Sequence, residues 1–285
     1  MWIVFALLSA LFAGITSVLA KCGVKQTNSN VATALRTGVV LLCAWSMAFL
    51  TGSVKTMPAI GAKSWIFLIL SGVATGASWL CYFKALQTGD INKVLPVDKS
   101  STAFTAAFAA LFLHESLTLG KAAGVILSLA GAILMIAKKP AEVKKGGAEW
   151  LFYALGSAAF ASLTSILGKI GIAGVQSDLG TAIRTVVVWI TAWGMVLVTG
   201  AAKEVRLVAK KELLFIVLSG IATGASWLCY FKALQSGDTL IVASLDKLSV
   251  AVAVTFSCFA LKEKISAKAV FGLALLVLGT VVMLL

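Results

Sequence analysis

Long apolar runs separated by short polar breaks extend along this chain. Ten of the runs reach the length of roughly 20 apolar residues that a helix needs to cross a hydrocarbon core about 30 Å thick. The pattern therefore predicts an all-α membrane protein. The predicted transmembrane helices, numbered one to ten in chain order, cover residues 2–20, 31–51, 64–86, 93–113, 119–137, 148–168, 180–200, 212–234, 241–261 and 266–284.

The two halves of the chain repeat each other. Ser71–Asp90 reads SGVATGASWLCYFKALQTGD, and Ser219–Asp238, 148 residues later, reads SGIATGASWLCYFKALQSGD. Self-similarity at a fixed offset is the signature of a repeated architecture. We therefore expect a five-helix repeat over residues 1–137, a polar linker over 138–147 and a second five-helix repeat over 148–285.

The odd number of crossings in each repeat predicts how the repeats are related. Five crossings leave the chain on the opposite side of the membrane, so the second repeat must enter it upside down. Inverted-topology repeats are a recurring plan of transporters, in which the substrate site lies at the repeat interface near the bilayer midplane. The fold expected here is two inverted-topology five-helix repeats around a central cavity.

Composition agrees with a lipid environment and excludes several classes of protein. Hydrophobic residues make up 60% of the chain and charged residues 12%, whereas about 25% of residues are charged in soluble domains. The net charge of +13 does not indicate a nucleic-acid partner, because the basic residues lie singly or in small groups at segment ends. Neither the five cysteines nor the single histidine, His114, has metal-type spacing, so we expect no cofactor.

An aspartate–lysine dipeptide stands inside predicted helix four and again inside helix nine, as Asp98-Lys99 and Asp246-Lys247. A charge at the bilayer centre costs about 2.5–3.5 kcal/mol on insertion scales, and such residues often mark functional sites. Two interpretations are open. The residues could form permanent ion pairs that lock helices together, or they could line a cavity and bind the polar ends of a substrate.

Four more basic residues are candidate partners of the aspartates. Lys84 and Lys232 lie near the ends of helices three and eight, and Arg36 and Arg184 lie in helices two and seven. The two lysines have a further option, because a long lysine side chain near a helix end can extend to the membrane interface.

Aromatic residues share one face of helix three and the matching face of helix eight. They are Trp79 and Tyr82 in the first repeat, and Trp227 and Tyr230 in the second. They could form an interfacial belt, which Trp and Tyr often do. They could also form an aromatic wall of the cavity that stacks on a ring or covers a cation.

The repeats diverge along helices four and nine. Thr102 and Thr105 follow Asp98 on one face of helix four, whereas Val250 and Ala253 occupy the corresponding positions of helix nine. One side of the cavity would then be rich in hydroxyl groups and the other apolar. Such a site suits a small molecule with a polar head and an apolar tail.

Each half of the chain resembles the EamA branch of the drug/metabolite transporter superfamily. The resemblance rests on SGxATGASWLCYFKALQxGD, then VDKSS or LDKLS, then a short acidic turn (HES or KEK) before the last helix of each repeat. Members of a similar subgroup can be single five-helix modules, so the chain resembles a fused duplicate. The resemblance implies a ten-helix basket with a central cavity, alternating access and export of metabolites such as amino acids.

Orientation is predicted differently by charge and by resemblance. Lys and Arg outside the segments are concentrated on the side of the linker, which places the linker in the cytoplasm and both termini outside. The resemblance implies that both termini lie in the cytoplasm. The membrane expected is the plasma membrane of a bacterium or an archaeon.

The expected function is secondary active transport of small polar or zwitterionic metabolites, with export as the expected direction. Asp98 and Asp246 would sense a proton or cation, while Lys99, Lys247 and the arginines would receive a carboxylate. Expected partners are a small-molecule substrate, the lipid bilayer and a counter-flow of protons or substrate, with the chain as a monomer or homodimer.

Other classes of function are less well supported by the sequence. Efflux of aromatic or quaternary cations is an alternative. Small multidrug pumps of the superfamily that this chain resembles rely on a glutamate in helix one. The absence of an acidic residue from helix one here counts against this alternative. A membrane scaffold or a channel is another. An enzyme is not expected, because the sequence shows neither a nucleophile–base nor a metal-binding constellation.

Overall fold

The computed structural model describes residues 1–23, 26–88, 94, 97, 98, 100–135, 149–261 and 266–284, with the backbone alone at 21–23 and 257–261. All regular elements within these ranges are helical. The α-helices are α1 (Trp2–Gly23), α2 (Ser29–Leu50), α3 (Ala62–Thr88), α4 (Ser101–Leu113), α5 (Leu119–Met135), α6 (Glu149–Gly171), α7 (Ser177–Val198), α8 (Lys210–Ser236), α9 (Thr239–Asp246), α10 (Ser249–Leu261) and α11 (Ala267–Val282). Short 3₁₀ helices follow α2 and α7, at Ser53–Ala59 and Ala201–Leu207.

The length and apolarity of these helices are those of a membrane protein. Within the described ranges, seven helical segments are long and apolar enough to cross a bilayer, and α4, α5 and α11 are shorter apolar helices. Large apolar side chains such as Leu42, Phe49 and Phe152 are exposed on the outside of the bundle, where acyl chains replace water as the solvent. The all-helical membrane fold is thus confirmed, while the number of ten crossings stays a prediction.

The segment predicted as one helix over residues 241–261 is instead two helices, with a break after Asp246. The N–H groups of Lys247 and Leu248 bond to carbonyls only three residues back, which is 3₁₀ geometry. The N–H of Val250 then donates to the carbonyl of Lys247 instead of continuing the α-helical ladder to Asp246. The helix is therefore interrupted beside the charged dipeptide Asp246-Lys247.

The first repeat contains the same interruption. Ser100 N–H donates to the carbonyl of Val97, and the N–H groups of Ala103 and Phe104 both donate to the carbonyl of Ser100. Each of these bonds recurs 148 residues later, around Leu248. The break therefore belongs to the module rather than to one copy, and it explains why α4 begins only at Ser101.

Most contacts between helices cross from one half of the chain to the other. Helix α1 packs on α8, α3 on α6, α2 on α7, and α5 on α11. Small residues permit the closest approaches: a Cβ added at Gly131 of α5 would lie 2.4 Å from the carbonyl oxygen of Gly272 in α11. Backbones come this close in membranes because lipid supplies little hydrophobic force between helices and packing must supply it.

The register of the contacts shows the relative direction of the helices. Gly72 lies against Val187 and Gly76 against Thr191, so α3 and α7 run parallel. Helices α2 and α8 are parallel in the same way, with Gly220 against Val39 and Gly224 against Cys43.

Polar contacts join the two halves at both ends of the bundle. At one end, called the N-terminal end because α1 begins there, Thr51 donates a hydrogen bond to Asp178. At the other, called the linker end, Thr27 donates to Glu212. The largest group of buried apolar residues, called the N-terminal apolar cluster, lies toward the N-terminal end and comprises Ala6, Leu68, Ile172, Val175, Leu179, Ile183, Phe231, Ala233, Leu234, Val242 and Leu245.

Candidate functional site

A cavity of about 370 Å³ lies among α1, α3, α4, α6, α7, α8 and α9. Its volume falls within the usual range of small-molecule sites. Its walls are formed by Ser9, Ala13, Thr75, Ser78, Trp79, Ser101, Thr102, Thr105, Ala161, Thr164, Ser165, Arg184, Ser226, Trp227, Tyr230, Phe231, Ala243, Asp246 and Lys247.

Seven of the residues predicted from sequence line this cavity: Trp79, Thr102, Arg184, Trp227, Tyr230, Asp246 and Lys247. The predicted residues that do not line it are Arg36, Tyr82, Lys84, Asp98 and Lys232. Lys99 lies outside the described residues. The cavity thus gathers more of the predicted residues from the second repeat than from the first.

Arg184 is a cation that is almost completely enclosed by protein, with 1% of its surface exposed. Its Nε donates to Ser71 Oγ at 3.3 Å and its Nη2 to Thr75 Oγ1 at 2.8 Å. The guanidinium lies 4.2 Å from the ring centre of Phe231 and 5.0 Å from that of Trp227, where cation–π attraction partly offsets the loss of hydration. Nη1 has no hydrogen-bond partner among the residues that the structure describes, so this buried donor can serve an anionic ligand.

Asp246 is held by a serine of the first helix. Ser9 Oγ donates to Asp246 Oδ1 at 2.7 Å. Ser226 Oγ lies 3.2 Å from Ser9 Oγ and donates to the Ser9 carbonyl at 3.0 Å. The carboxylate is therefore positioned by neutral hydroxyl groups, which leave it able to attract a cationic ligand.

The same arrangement is found in the other half of the molecule. Ser157 Oγ donates to Asp98 Oδ1 at 2.8 Å, and Ser78 Oγ donates to the Ser157 carbonyl at 3.0 Å. These serines are not among the residues predicted from sequence. The repeat does mark them, because Ser9 and Ser157, like Ser78 and Ser226, stand 148 residues apart in apolar helices.

Lys247 connects the broken helix to the hydroxyl-bearing helix α4. Its Nζ donates to Ser101 Oγ at 3.3 Å. Thr105 Oγ1 donates to Ser162 Oγ at 3.1 Å, and Ser162 Oγ also reaches the carbonyl of Ser101 at 2.6 Å. Together with Thr102, these groups make the α4 side of the cavity polar.

The aromatic residues have different positions in the two repeats. Trp79, Trp227 and Tyr230 line the cavity, and Tyr230 Oη forms a 2.8 Å hydrogen bond with Ser165 Oγ. Tyr82 is half-buried and lies outside the cavity lining. Three of the four aromatic residues are thus placed to contact a ligand.

Lys84 and Lys232 are exposed and form no ion pair with the residues that the structure describes. In this conformation neither lysine therefore pairs with an aspartate among the described residues, while Ser9 donates to Asp246 and Ser157 to Asp98. Lys232 borders a separate, more open groove of about 570 Å³ at the N-terminal end. Both lysines lie near helix ends, where a long side chain can reach the membrane interface.

Comparison with known proteins relates both halves of the chain to one family. The sequence profile of the EamA-like transporter family matches residues 1–137 and 148–285. A Sinorhizobium protein named as an uncharacterized transporter in the cobO 3' region is 48% identical over 134 residues, which are 47% of this chain and 95% of the relative. An uncharacterized protein of Methanocaldococcus jannaschii is 27% identical over 133 residues, 47% of this chain and 94% of that protein. Each relative corresponds in length to one half of this chain.

A solved structure shares the fold of the whole chain. A protein crystal structure superposes with a TM-score of 0.79, covering 100% of this chain and 98% of its own, at 18% sequence identity. At that identity the likeness concerns the fold alone.

Proposed function

We propose that this chain, which belongs to the EamA-like transporter family, moves small zwitterionic metabolites such as amino acids across the membrane by alternating access. Family membership and the relative named as a transporter identify it in general terms as a multi-pass membrane transporter. The finer proposal rests on one observation. Arg184, with its free Nη1, and Asp246, with its serine-held carboxylate, line the same cavity.

Charges of opposite sign in one small cavity suit a ligand that carries both signs. Arg184 Nη1 and Lys247 can receive a carboxylate, because hydrogen bonds between charged partners are about twice as strong as neutral ones. The Asp246 carboxylate can accept hydrogen bonds from an ammonium group. Trp79 and Trp227 offer apolar faces to the remainder of the molecule, and at about 370 Å³ the cavity takes small molecules only.

Inverted-topology repeats over 1–137 and 148–285, joined by a linker over 138–147, are part of this proposal. Helix α3 is the third helix of its repeat and α7 the second of the other. If both repeats had the same orientation, these two helices would be antiparallel, whereas their contacts show that they run parallel. The hydrogen bonds around Ser100 recur around Leu248, which supports equivalent modules. A site between inverted repeats can face either side of the membrane through rocking of one repeat against the other.

Coupling and direction are proposed from the same residues. Asp246 would bind the substrate amine, and its counterpart Asp98, which does not line the cavity, would bind a counter-flowing proton. We propose export across a bacterial or archaeal plasma membrane. No hydrolytic step is needed in such a mechanism, since a gradient of protons or substrate drives it.

Efflux of aromatic cations is the second candidate, favoured by the tryptophans beside Asp246. The buried guanidinium of Arg184 opposes it, because a ligand with positive charge alone would enter a cavity that already contains Arg184 and Lys247. The two candidates are therefore separated by whether amino acids or tetraphenylphosphonium compete for binding to the cavity.

The test is saturable counterflow of amino acids in proteoliposomes, combined with thermal-shift binding to the purified chain. Loss of a hydrogen bond to a charged group costs about 1.5–3 kcal/mol. We therefore expect Arg184→Gln to weaken amino-acid binding by roughly tenfold or more. Lys84→Gln, which removes an exposed charge outside the cavity, should leave binding unchanged. Equal binding in all three proteins, or competition by the cation alone, would contradict the proposal.

A further inference from the structure

We infer that Arg184 and Phe231 close the cavity toward the N-terminal end, and that Arg36 and Phe83 are the groups that close it toward the linker end in the alternate conformation. The inference rests on the proposed alternating-access function and assigns its gates. It is drawn from differences between positions that stand 148 residues apart and carry identical residues.

The arginine pair shows the first difference. Arg184 donates to both Ser71 and Thr75 across the contact between α7 and α3. The corresponding residue Arg36 is half-buried and forms no hydrogen bond with the residues that the structure describes. One arginine is therefore engaged by two hydroxyl groups, whereas its counterpart forms no such bond.

The hydroxyl groups that would receive Arg36 are those of Ser219 and Thr223, which correspond to Ser71 and Thr75. Ser219 Oγ donates to the carbonyl of Ile216 at 2.8 Å. Thr223 Oγ1 donates to the carbonyl of Ser219 at 2.7 Å, as Thr75 does to that of Ser71, and lies 3.3 Å from Thr16 Oγ1 of α1. Helices α2 and α8 already lie in close contact at Gly220 and Gly224, and both hydroxyl oxygens can still accept a hydrogen bond, so Arg36 can bond to them in the alternate conformation as Arg184 does to Ser71 and Thr75.

The aromatic side chains show the second difference. Phe231 is 2% exposed and belongs to the N-terminal apolar cluster, and its neighbour Tyr230 bonds to Ser165. The counterpart Phe83 is only half-buried. Ser17, which corresponds to Ser165, donates to the carbonyl of Ala13 in its own helix. The N-terminal pair thus lies in the larger apolar cluster and Phe231 is fully buried, whereas Phe83 is half-buried and Tyr82 packs against a smaller cluster.

Ion pairs reinforce closure of the N-terminal end. Lys169 Nζ lies 2.7 Å from Glu115 Oε1, and Lys121 Nζ lies 2.5 Å from Asp238 Oδ2. Both pairs connect the α4–α5 region of the first half to the second half. They span the same end of the bundle as Arg184 and Phe231.

One sequence difference between the halves bears on the balance of the two conformations. A Cβ at Gly168 would lie 2.5 Å from Phe231 Cε1 and 3.2 Å from Ser71 Oγ, so a side chain there would displace Phe231. The corresponding position, 148 residues earlier, is Ala20. Its methyl group opposes equal seating of Phe83, which favours the conformation closed at the N-terminal end.

The test is hydrogen–deuterium exchange of the full chain in lipid nanodiscs, because it needs no label and reports opening at each end separately. Removing Arg184 removes the engaged gate, so Arg184→Gln should raise exchange roughly tenfold in peptides from the ends of α6 and α8, which corresponds to about 1.4 kcal/mol. Arg36→Gln should act in the opposite sense, slowing exchange at the N-terminal end and lowering transport, since the alternate conformation loses its gate.

Two smaller substitutions keep the inference testable if an arginine variant does not fold. Gly168→Ala unseats Phe231, and Ala20→Gly makes room for Phe83, so both should increase exchange at the N-terminal end and decrease it at the linker end. Exchange that changes in the same sense in Arg36→Gln and Arg184→Gln, or that Gly168→Ala and Ala20→Gly leave unaltered, would overturn the inference.

Amino-acid binding is measured on the same samples. Absence of binding to the unaltered chain rejects the proposed function, whereas intact binding with unmoved exchange rejects the gates alone.

Discussion

Ser9 of α1 donates a 2.7 Å hydrogen bond to Asp246 at the end of α9. The bond links the first helix of one repeat to the interrupted helix of the other, directly beside the cavity. Its counterpart, between Ser157 and Asp98 at 2.8 Å, links the repeats in the reverse sense. Two equivalent serine–carboxylate contacts thus tie each broken helix to the opposite half of the molecule.

The substitution Ser9→Ala should destabilise the chain, because a carboxylate in the membrane interior loses a donor. Hydrogen bonds to charged groups are worth about 1.5–3 kcal/mol, so we expect a lower unfolding temperature in detergent. Ser17→Ala is the matched control, since Ser17 is exposed on the same helix and donates only to the carbonyl of Ala13. Equal unfolding temperatures for the two variants would show that the Ser9–Asp246 bond is not stabilising.

Asp246→Asn should remove recognition of an amine while preserving the shape of the site. The expected result is that the chain no longer binds an amino acid more tightly than its deaminated analogue, measured by thermal shift or calorimetry. Asp98→Asn provides the comparison, because Asp98 has the same kind of serine partner but does not line the cavity. A preference for the amine that survives in Asp246→Asn would exclude Asp246 as the cation site.

Glu115→Gln should loosen the N-terminal end. The Glu115 carboxylate accepts from Lys169 Nζ, from the Thr239 N–H and from Thr239 Oγ1, at 2.7–3.0 Å. The amide removes the charge that Lys169 faces, so the unfolding temperature should fall and exchange at the start of α9 should rise. Glu204→Gln, on an exposed 3₁₀ helix, should change neither. A Glu115→Gln chain as stable as Glu204→Gln would contradict this assignment.

Gly131→Ala should separate α5 from α11. The added Cβ would lie 2.4 Å from the Gly272 carbonyl oxygen and 2.6 Å from the Leu276 nitrogen, both backbone atoms that cannot rotate away. Overpacking of this kind costs about 1–3 kcal/mol, measurable as a lower unfolding temperature. Gly61→Ala is the control, since a Cβ there meets nothing within 4 Å. Similar stability of the two variants would mean that the α5–α11 contact tolerates expansion.

Much of the architecture could be read from periodicity alone. Apolar runs of membrane length predict helices because every backbone polar group must be satisfied within lipid. The offset of 148 residues predicts two like modules. Charged residues within such runs are costly unless they face protein or water, which is why Asp246 and Arg184 could be picked out before their surroundings were known.

Local sequence could not reveal the break after Asp246 or the serine that holds its carboxylate. The predicted apolar segment extends on both sides of Lys247, so hydropathy predicts an unbroken helix there. Ser9 by itself is an unremarkable small residue in an apolar helix. Its role depends on α1 lying against α8 and α9, a contact between residues more than two hundred positions apart.

The sequence alone determined the repeated helices and the kinds of charged residue within them, because hydrophobic length and burial cost act on each segment separately. Only the tertiary structure decided that Arg184 bonds to a neighbouring helix and lines the cavity, whereas Arg36 does neither. The two arginines occupy equivalent positions of the repeat. The physical reason is that identical segments acquire different surroundings once two halves pack into one conformation, and surroundings determine which donors remain free.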